Sequence, residues 1–209
     1  MIEHPIIFSS PMVKAILEGR KTQTRRVLAT RAGKYKGQQP LDILPMLKPN
    51  EWVGLMERNP HHGLVFKCRY GQVGDRLWVR EAFGEPFGKS FGIIYRADHD
   101  AGNLHKWKPS IHMFRKDSRI TLEITEVRVE RVQDISFQDA RAEGILTFDG
   151  DNPDPANNGV GYNRGAIGLP MRYESTTAYM DLWDSINGKK HPWESNPFVW
   201  CISFKKEDK

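Results

Sequence analysis

The stretch Gly19-Arg20-Lys21-Thr22-Gln23-Thr24-Arg25-Arg26 decides how this chain is read. On its N-terminal side, Ile6-Ile7-Phe8 predicts a short strand. Ser9 or Ser10 then offers a helix cap, with Pro11 at the first helical position. Met12/Ile16 and Val13/Leu17 repeat at i, i+4, which gives that helix one buried face, and Gly19 suits its end. The quoted stretch therefore leaves a helix and runs on as an extended segment rich in Thr and Arg, as far as Val27. It also lies inside a charge cluster. Lys14, Arg20, Lys21, Arg25, Arg26, Arg31, Lys34 and Lys36 crowd together, with Glu18 the only acid among them. Such a cluster suits an anionic partner, a phosphate or a nucleic acid.

Working outward, residues 28–62 carry scattered Gly and Pro with weak periodicity. They read as an irregular insertion with a short helix near Leu41–Leu47. Leu64–Arg69 reads as a strand, Tyr70 to Asp75 as a turn, and Arg76–Ala82 as a second strand with Leu77 and Val79 on one side. Ile93–Tyr95 is a third short strand. Ile120–Val132 is long, and its apolar alternation shifts between Ile124 and Val127, which predicts a bulge or bend. Ser136 with Asp139 three residues on is a helix-start pattern for Phe137–Glu143, which Gly144 ends. Residues 146–172 read as a surface loop or lid. Thr176–Asn187 is a helix with Ala178, Tyr179, Leu182, Trp183 and Ile186 inward, and Pro197–Lys205 is a strand burying Phe198, Trp200, Ile202 and Phe204. The expected fold class is α+β, mainly β: a single domain over 1–209, a small barrel with peripheral helices and two loop insertions.

Composition narrows the function. The chain has 209 residues and a formal net charge of +5, ordinary values for a soluble globular protein. Its two cysteines, Cys68 and Cys201, lie too far apart for a CxxC zinc site and read as buried thiols in a reducing compartment. The histidines form no HxxxH or HxH pair, so no metal is expected. No phosphate-binding glycine loop or Gly-x-Ser-x-Gly elbow is present, and no cofactor is expected. Without an apolar run of membrane length or a signal-peptide pattern, the expected location is cytoplasmic, with no membrane partner.

In order, Ile16-Leu17-Glu18-Gly19-Arg20-Lys21-Thr22, Val73-Gly74-Asp75, Trp78-Val79-Arg80-Glu81, Ala142-Glu143-Gly144-Ile145 and Leu182-Trp183 with Ile186-Asn187 resemble the ASCH superfamily. The resemblance covers nearly the whole chain outside the two insertions. It implies a barrel similar to that of PUA RNA-binding domains. Some ASCH proteins are amidohydrolases that remove the acyl group from N4-acetylcytidine, through a Gly-Arg-Lys-Thr-x-Thr element and a Glu in a later helix. Carried over by motif, the expected catalytic residues are Lys21, Thr24 and Glu143. Arg20, Arg26, Glu81 and Trp78 are the expected substrate-binding residues. Arg25 departs from the pattern, standing where the small bacterial enzyme has an apolar residue, and this chain is about twice as long. The implied partner is a small modified nucleoside. Two other readings stand beside it: an RNA-binding module, and a metal-independent ribonuclease using the same basic cluster.

The chemistry sets demands on these residues. Amide hydrolysis needs a nucleophile, a base, a proton donor and a stabilised oxyanion. For Lys21 to act as a base near pH ~7–8 it must be neutral, which costs about 4 kcal/mol relative to a free lysine. Arg20, Arg25, Arg26 and burial push that way, and a nearby Glu143 opposes it. In one version the Thr24 hydroxyl is the nucleophile, Lys21 its base, and Glu143 the proton donor to the cytosine leaving group; in a second, Glu143 activates water while Lys21 steadies the oxyanion. In a regular strand Lys21 and Thr24 face opposite sides, so a shared site requires Lys21 to stand outside strand alternation. Arg26 and Glu81 form either an ion pair or ligand contacts.

Overall fold

The computed structural model describes residues 1–28, 39–46, 50–56, 59–84, 92–99, 106–145 and 171–207, with backbone alone at 59–62 and 171–175. Its elements run β1 (Glu3–Ile7), α1 (Ser10–Leu17), β2 (Gln23–Val27), β3 (Asp42–Pro45), β4 (Glu51–Met56), β5 (Asn59–Lys67), β6 (Arg76–Arg80), β7 (Phe83–Gly84), β8 (Ile94–Tyr95), β9 (Thr121–Arg131), α2 (Phe137–Ala142), α3 (Met171–Asn187) and β10 (Phe198–Lys206). The fold is α+β with strands predominating.

One five-stranded sheet organises the molecule, in the order β1-β6-β9-β10-β2. β1 runs parallel to β6, with Ile6 opposite Val79, and the other pairs are antiparallel. Apolar alternation places Leu77 and Val79, Leu122 and Ile124, and Ile202 and Phe204 in one buried cluster. Ile6, Phe8, and Val13 and Ile16 of α1 complete it. Each such side chain stabilises the fold by about 1.5–3 kcal/mol through burial. The helix expected after Phe8 is α1, with Ser9 at its N-cap position but no hydrogen bond from the Ser9 side chain, proline in its first turn, and an end at Gly19, whose φ is +75°. The bulge expected in the long strand falls at Thr125: Ser203 pairs with Glu126, and Phe204 with Ile124.

β10 is buried on both faces rather than one. Phe198, Trp200, Ile202 and Phe204 enter the first cluster, as their alternation predicts. Val199 enters a second, with Val132, Ile135, Ala140, Tyr179 and Trp183. Ile186 of α3 departs from its expected inward position and is 55% exposed.

Two further expectations are corrected. Much of 28–62 is a three-stranded antiparallel sheet in the order β3-β4-β5, and Asp42–Pro45 is strand where a helix was expected. Residues 29–38, 47–49 and 57–58 lie outside the described residues. The alternation is broken at Gly54 for a steric reason: a Cβ there would stand 2.6 Å from the Phe66 ring and 2.8 Å from Pro40. This sheet packs onto the main one, with the Trp52 and Trp200 rings 4.9 Å apart and nearly perpendicular. Among the described residues, strand pairing leaves β1 and β2 as the edges of the five-stranded sheet. The Arg26 side chain spans them, Nη2 donating to Ile7 O at 2.7 Å. Of the second expected insertion, 146–170 lies outside the described residues, while Met171 and Arg172 open α3. Cys68 and Cys201 are free and buried, and no helix among the described residues is long and apolar enough to cross a membrane.

Candidate functional site

Gly19 turns the chain out of α1, and the amides of Arg20 and Lys21 both donate to Ala15 O, at 2.9 and 3.0 Å. Lys21 then makes an isolated antiparallel bridge with Glu143, before β2 begins at Gln23. Thr22 N donates to Ala142 O and accepts, through its own carbonyl, from Phe204 N, each at 2.8 Å. Residues 21–22 are thus clamped between the end of α2 and β10. Lys21 stands outside the alternation of β2, which removes the geometric conflict with Thr24.

Glu143 caps the C-terminus of α2, its amide donating to Asp139 O at 2.9 Å. Its carboxylate is nearly fully buried beside the Lys21 ammonium, Nζ to Oε2 2.6 Å. Nζ also donates to Gln23 O at 2.8 Å and Glu143 O at 2.9 Å. Three acceptors around one nitrogen require three N–H groups, which only the ammonium form has. Burial pushes the Lys21 pKa below the ordinary lysine value, while the adjacent Glu143 carboxylate opposes that shift.

The other oxygen of Glu143 faces Arg25 Nη1 and the Tyr179 hydroxyl, each at 3.5 Å. Arg25 is wholly buried. It donates to Gln23 Oε1 at 2.6 Å and Glu130 Oε1 at 2.9 Å, and stands 3.2 Å from Asp139 Oδ2. Burial works to lower its pKa, but Glu143 and the other groups around it, Glu130 among them, outweigh burial and hold it above the ordinary arginine value. Arg25, Cys201 and Arg128 align across three adjacent strands, and Arg128 reaches Glu130 at 3.0 Å and Asp139 at 2.9 Å. Every buried charge here has an opposite neighbour, as burial demands. Burial drives the Tyr179 hydroxyl well above the usual tyrosine value, so it is a neutral phenol.

Glu143 opens onto a cavity of about 420 Å³, whose walls include Thr24, Arg25, Arg26, Tyr179 and Trp183. That volume suits a small organic ligand. Arg69 and Tyr70, from the turn after β5, and Leu182, Ile186 and Asn187 of α3 complete much of the rim. Lys21 does not reach the cavity and stands behind Glu143.

The structure thus brings Thr24, Arg26 and Glu143 to one cavity, with Lys21 bonded to Glu143. It separates the remaining three. Arg20 pairs with Glu18, Nε to Oε2 2.8 Å, and lies against Gly144 and Ile145 in a smaller recess on another side of Glu143. Glu81 does not pair with Arg26. Arg119, 38 residues on, holds it bidentately at 2.9 and 3.1 Å, although burial alone raises the Glu81 pKa. Trp78 alternates with the buried Leu77 and Val79, so it projects from the opposite face of β6, where the Arg80 guanidinium lies 5.5 Å from its ring centroid. Neither Glu81 nor Trp78 lines the cavity.

Sequence reasoning passed over Arg25, Arg69, Tyr179 and Asn187. Arg25 shares a period-two face with Gln23, a pattern that an ordinary solvent face of a strand also gives. Tyr179 and Trp183 were read as core, which they are, but they also wall the cavity.

No protein-family model matches the sequence. No curated protein matches it. Among solved structures, the chain is similar to a crystal structure of an Enterococcus faecalis V583 protein assigned to the family model DUF984. The identity is 11% and the TM-score 0.38, over 93% of this chain and 66% of that one. The chain therefore spans just under two thirds of that protein's length, and a likeness of this size carries neither fold nor activity across.

Proposed function

We propose that this chain is an ASCH-type amidohydrolase, built on a PUA-like barrel, that removes the acyl group from N4-acetylcytidine and related N4-acylated cytosine nucleosides. One observation carries the reading: the carboxylate of Glu143, buried against Lys21, faces a nucleoside-sized cavity that Thr24 also lines.

The geometry favours Glu143, not Lys21, as the base. Lys21 already donates three hydrogen bonds and has no lone pair to offer. It is a positioning residue, fixing the buried carboxylate against its ammonium. Glu143 takes a proton from a water in the cavity. The water oxygen attacks the amide carbon, and the carbonyl oxygen becomes an oxyanion that accepts from the Thr24 hydroxyl. The bond from carbon to N4 then breaks. The proton held on Glu143 passes to N4, which leaves as the amino group of cytosine. The oxyanion re-forms the carbonyl, and the carboxylic acid so released loses its proton to solvent, leaving a carboxylate and the free cytosine nucleoside.

Incubation with N4-acetylcytidine, with cytidine followed by chromatography, tests this. Glu143→Gln keeps the shape of the side chain and removes the base, and is expected to lower kcat by about 10²–10⁴-fold. A wild-type protein that releases no cytidine, or an undiminished Glu143→Gln, removes the hydrolase reading. RNA binding that weakens steeply with salt, without acyl release, would carry the binding-module reading instead.

A further inference from the structure

The charges around the cavity divide into two groups. Glu143 and Arg25 are spoken for, bound to one another's neighbours Lys21, Gln23, Glu130 and Asp139. Arg26 and Arg69 are not. Among the described residues no carboxylate stands within ion-pair distance of either. Arg26 donates from Nη2 to Ile7 O at 2.7 Å, and its Nε is buried with no hydrogen-bond partner. Its guanidinium carbon stands 5.1 Å from the Phe8 ring centroid, so one face is apolar and only its edge can take up an anion. Arg69 is exposed, with its guanidinium 5.2 Å from the centroid of the Tyr70 ring.

Two guanidiniums facing one cavity repel, and a buried donor without an acceptor costs about 1–3 kcal/mol. A ligand bearing a phosphate relieves the repulsion. Its oxygens match the fork of a guanidinium and its charge offsets two cations. We infer that the ligand of this cavity is a phosphorylated one, an N4-acylated cytosine nucleotide whose phosphate lies against Arg26 and Arg69 while its base reaches Glu143. The inference rests on the cytosine-nucleoside reading for the base, but the phosphate half stands on the two arginines and is tested apart. The cavity volume of about 420 Å³ favours a free mononucleotide over a polynucleotide.

The test has two arms on the full chain. In the first, kcat/KM is measured for N4-acetylcytidine and for its 5′-monophosphate. The expected result is a preference for the monophosphate of about 10-fold or more, which falls toward one in Arg69→Gln. In the second, titration calorimetry compares cytidine 5′-monophosphate with cytidine, without any turnover. Tighter binding of the monophosphate by a similar factor, lost in Arg69→Gln, supports the inference even if no acyl group is ever released. In that case the hydrolase reading alone fails. Equal affinities and equal kcat/KM values overturn the phosphate inference and leave the hydrolase reading standing. An oligocytidylate that binds more tightly than the mononucleotide overturns the free-nucleotide form of the proposal. Arg69 is exposed at the rim, so its substitution does not threaten the fold.

Discussion

Lys21 and Glu143 sit 122 residues apart in sequence, yet their side chains meet at 2.6 Å with almost no solvent contact. Such a pair does not earn its place by stability, because desolvation offsets most of the Coulomb attraction. Its consequence appears when one partner is removed. Lys21→Met leaves a buried carboxylate without its cation, and is expected to destabilise the fold by about 3–5 kcal/mol. Lys21→Met combined with Glu143→Leu removes both charges and is expected to lose less than the single change. Urea midpoints for the three proteins check this ordering. A single variant as stable as wild type would mean that Glu143 is neutral or well hydrated, which would also weaken its assignment as the base.

At the scale of elements, the site depends on how α2 is held against the sheet. Ser136 caps the helix by accepting from Asp139 N at 3.0 Å, and the Asp139 carboxylate reaches down to Gln23 of β2 and Arg128 of β9. Burial works against the Asp139 charge, but Gln23, Ser136, Arg25 and Arg128 together depress its pKa from 3.8 to about 2. The folded value lies below the unfolded one, so the fold favours the ionised form. The contribution is whole above pH ~4 and is lost as pH falls toward ~2; for a partly solvated group it is on the order of 1 kcal/mol. Asp139→Asn is therefore expected to be less stable than wild type at neutral pH, with the gap closing on acidification. A gap that widens in acid would contradict the assignment. Much of this scale was legible in the sequence. Caps and glycines marked α1 and α2, and the broken alternation near Ile124 marked the Thr125 bulge. The end of β5 was read as a strand from Leu64, but β3, β4 and the start of β5 were not legible, because Gly54 makes sense only once the Phe66 ring crosses it. Glu81 misled for a related reason: its partner, Arg119, is reached by tertiary approach and leaves no local pattern. Lys21, Thr24 and Glu143 were legible as a motif. Arg25 was not, since nothing local announces that α2 brings Asp139 over that face of β2.

Across the whole molecule, β10 joins two apolar clusters, contributing Phe198, Trp200, Ile202 and Phe204 to one and Val199 to the other. The cavity draws on both sides: Thr24 and Arg26 come from the sheet edge beside β10, while Tyr179 and Trp183 belong to the second cluster. A strand buried on both faces cannot release one cluster without uncovering the other. The two clusters are therefore expected to unfold together, and the site with them. Ile124→Ala, in the first cluster, is expected to cost about 2–5 kcal/mol, and Trp183→Ala, in the second, about 3–5 kcal/mol. Both should shift a single transition that tryptophan fluorescence and far-ultraviolet circular dichroism report at the same midpoint. Ligand binding should vanish at that midpoint too, because Glu143 keeps its orientation only while α2 is packed on the sheet. If Trp183→Ala instead produces two separate transitions, with the sheet outlasting the helices, then the second cluster is an independent layer. Binding would then be lost before the sheet melts, since the wall carrying Tyr179 would leave first.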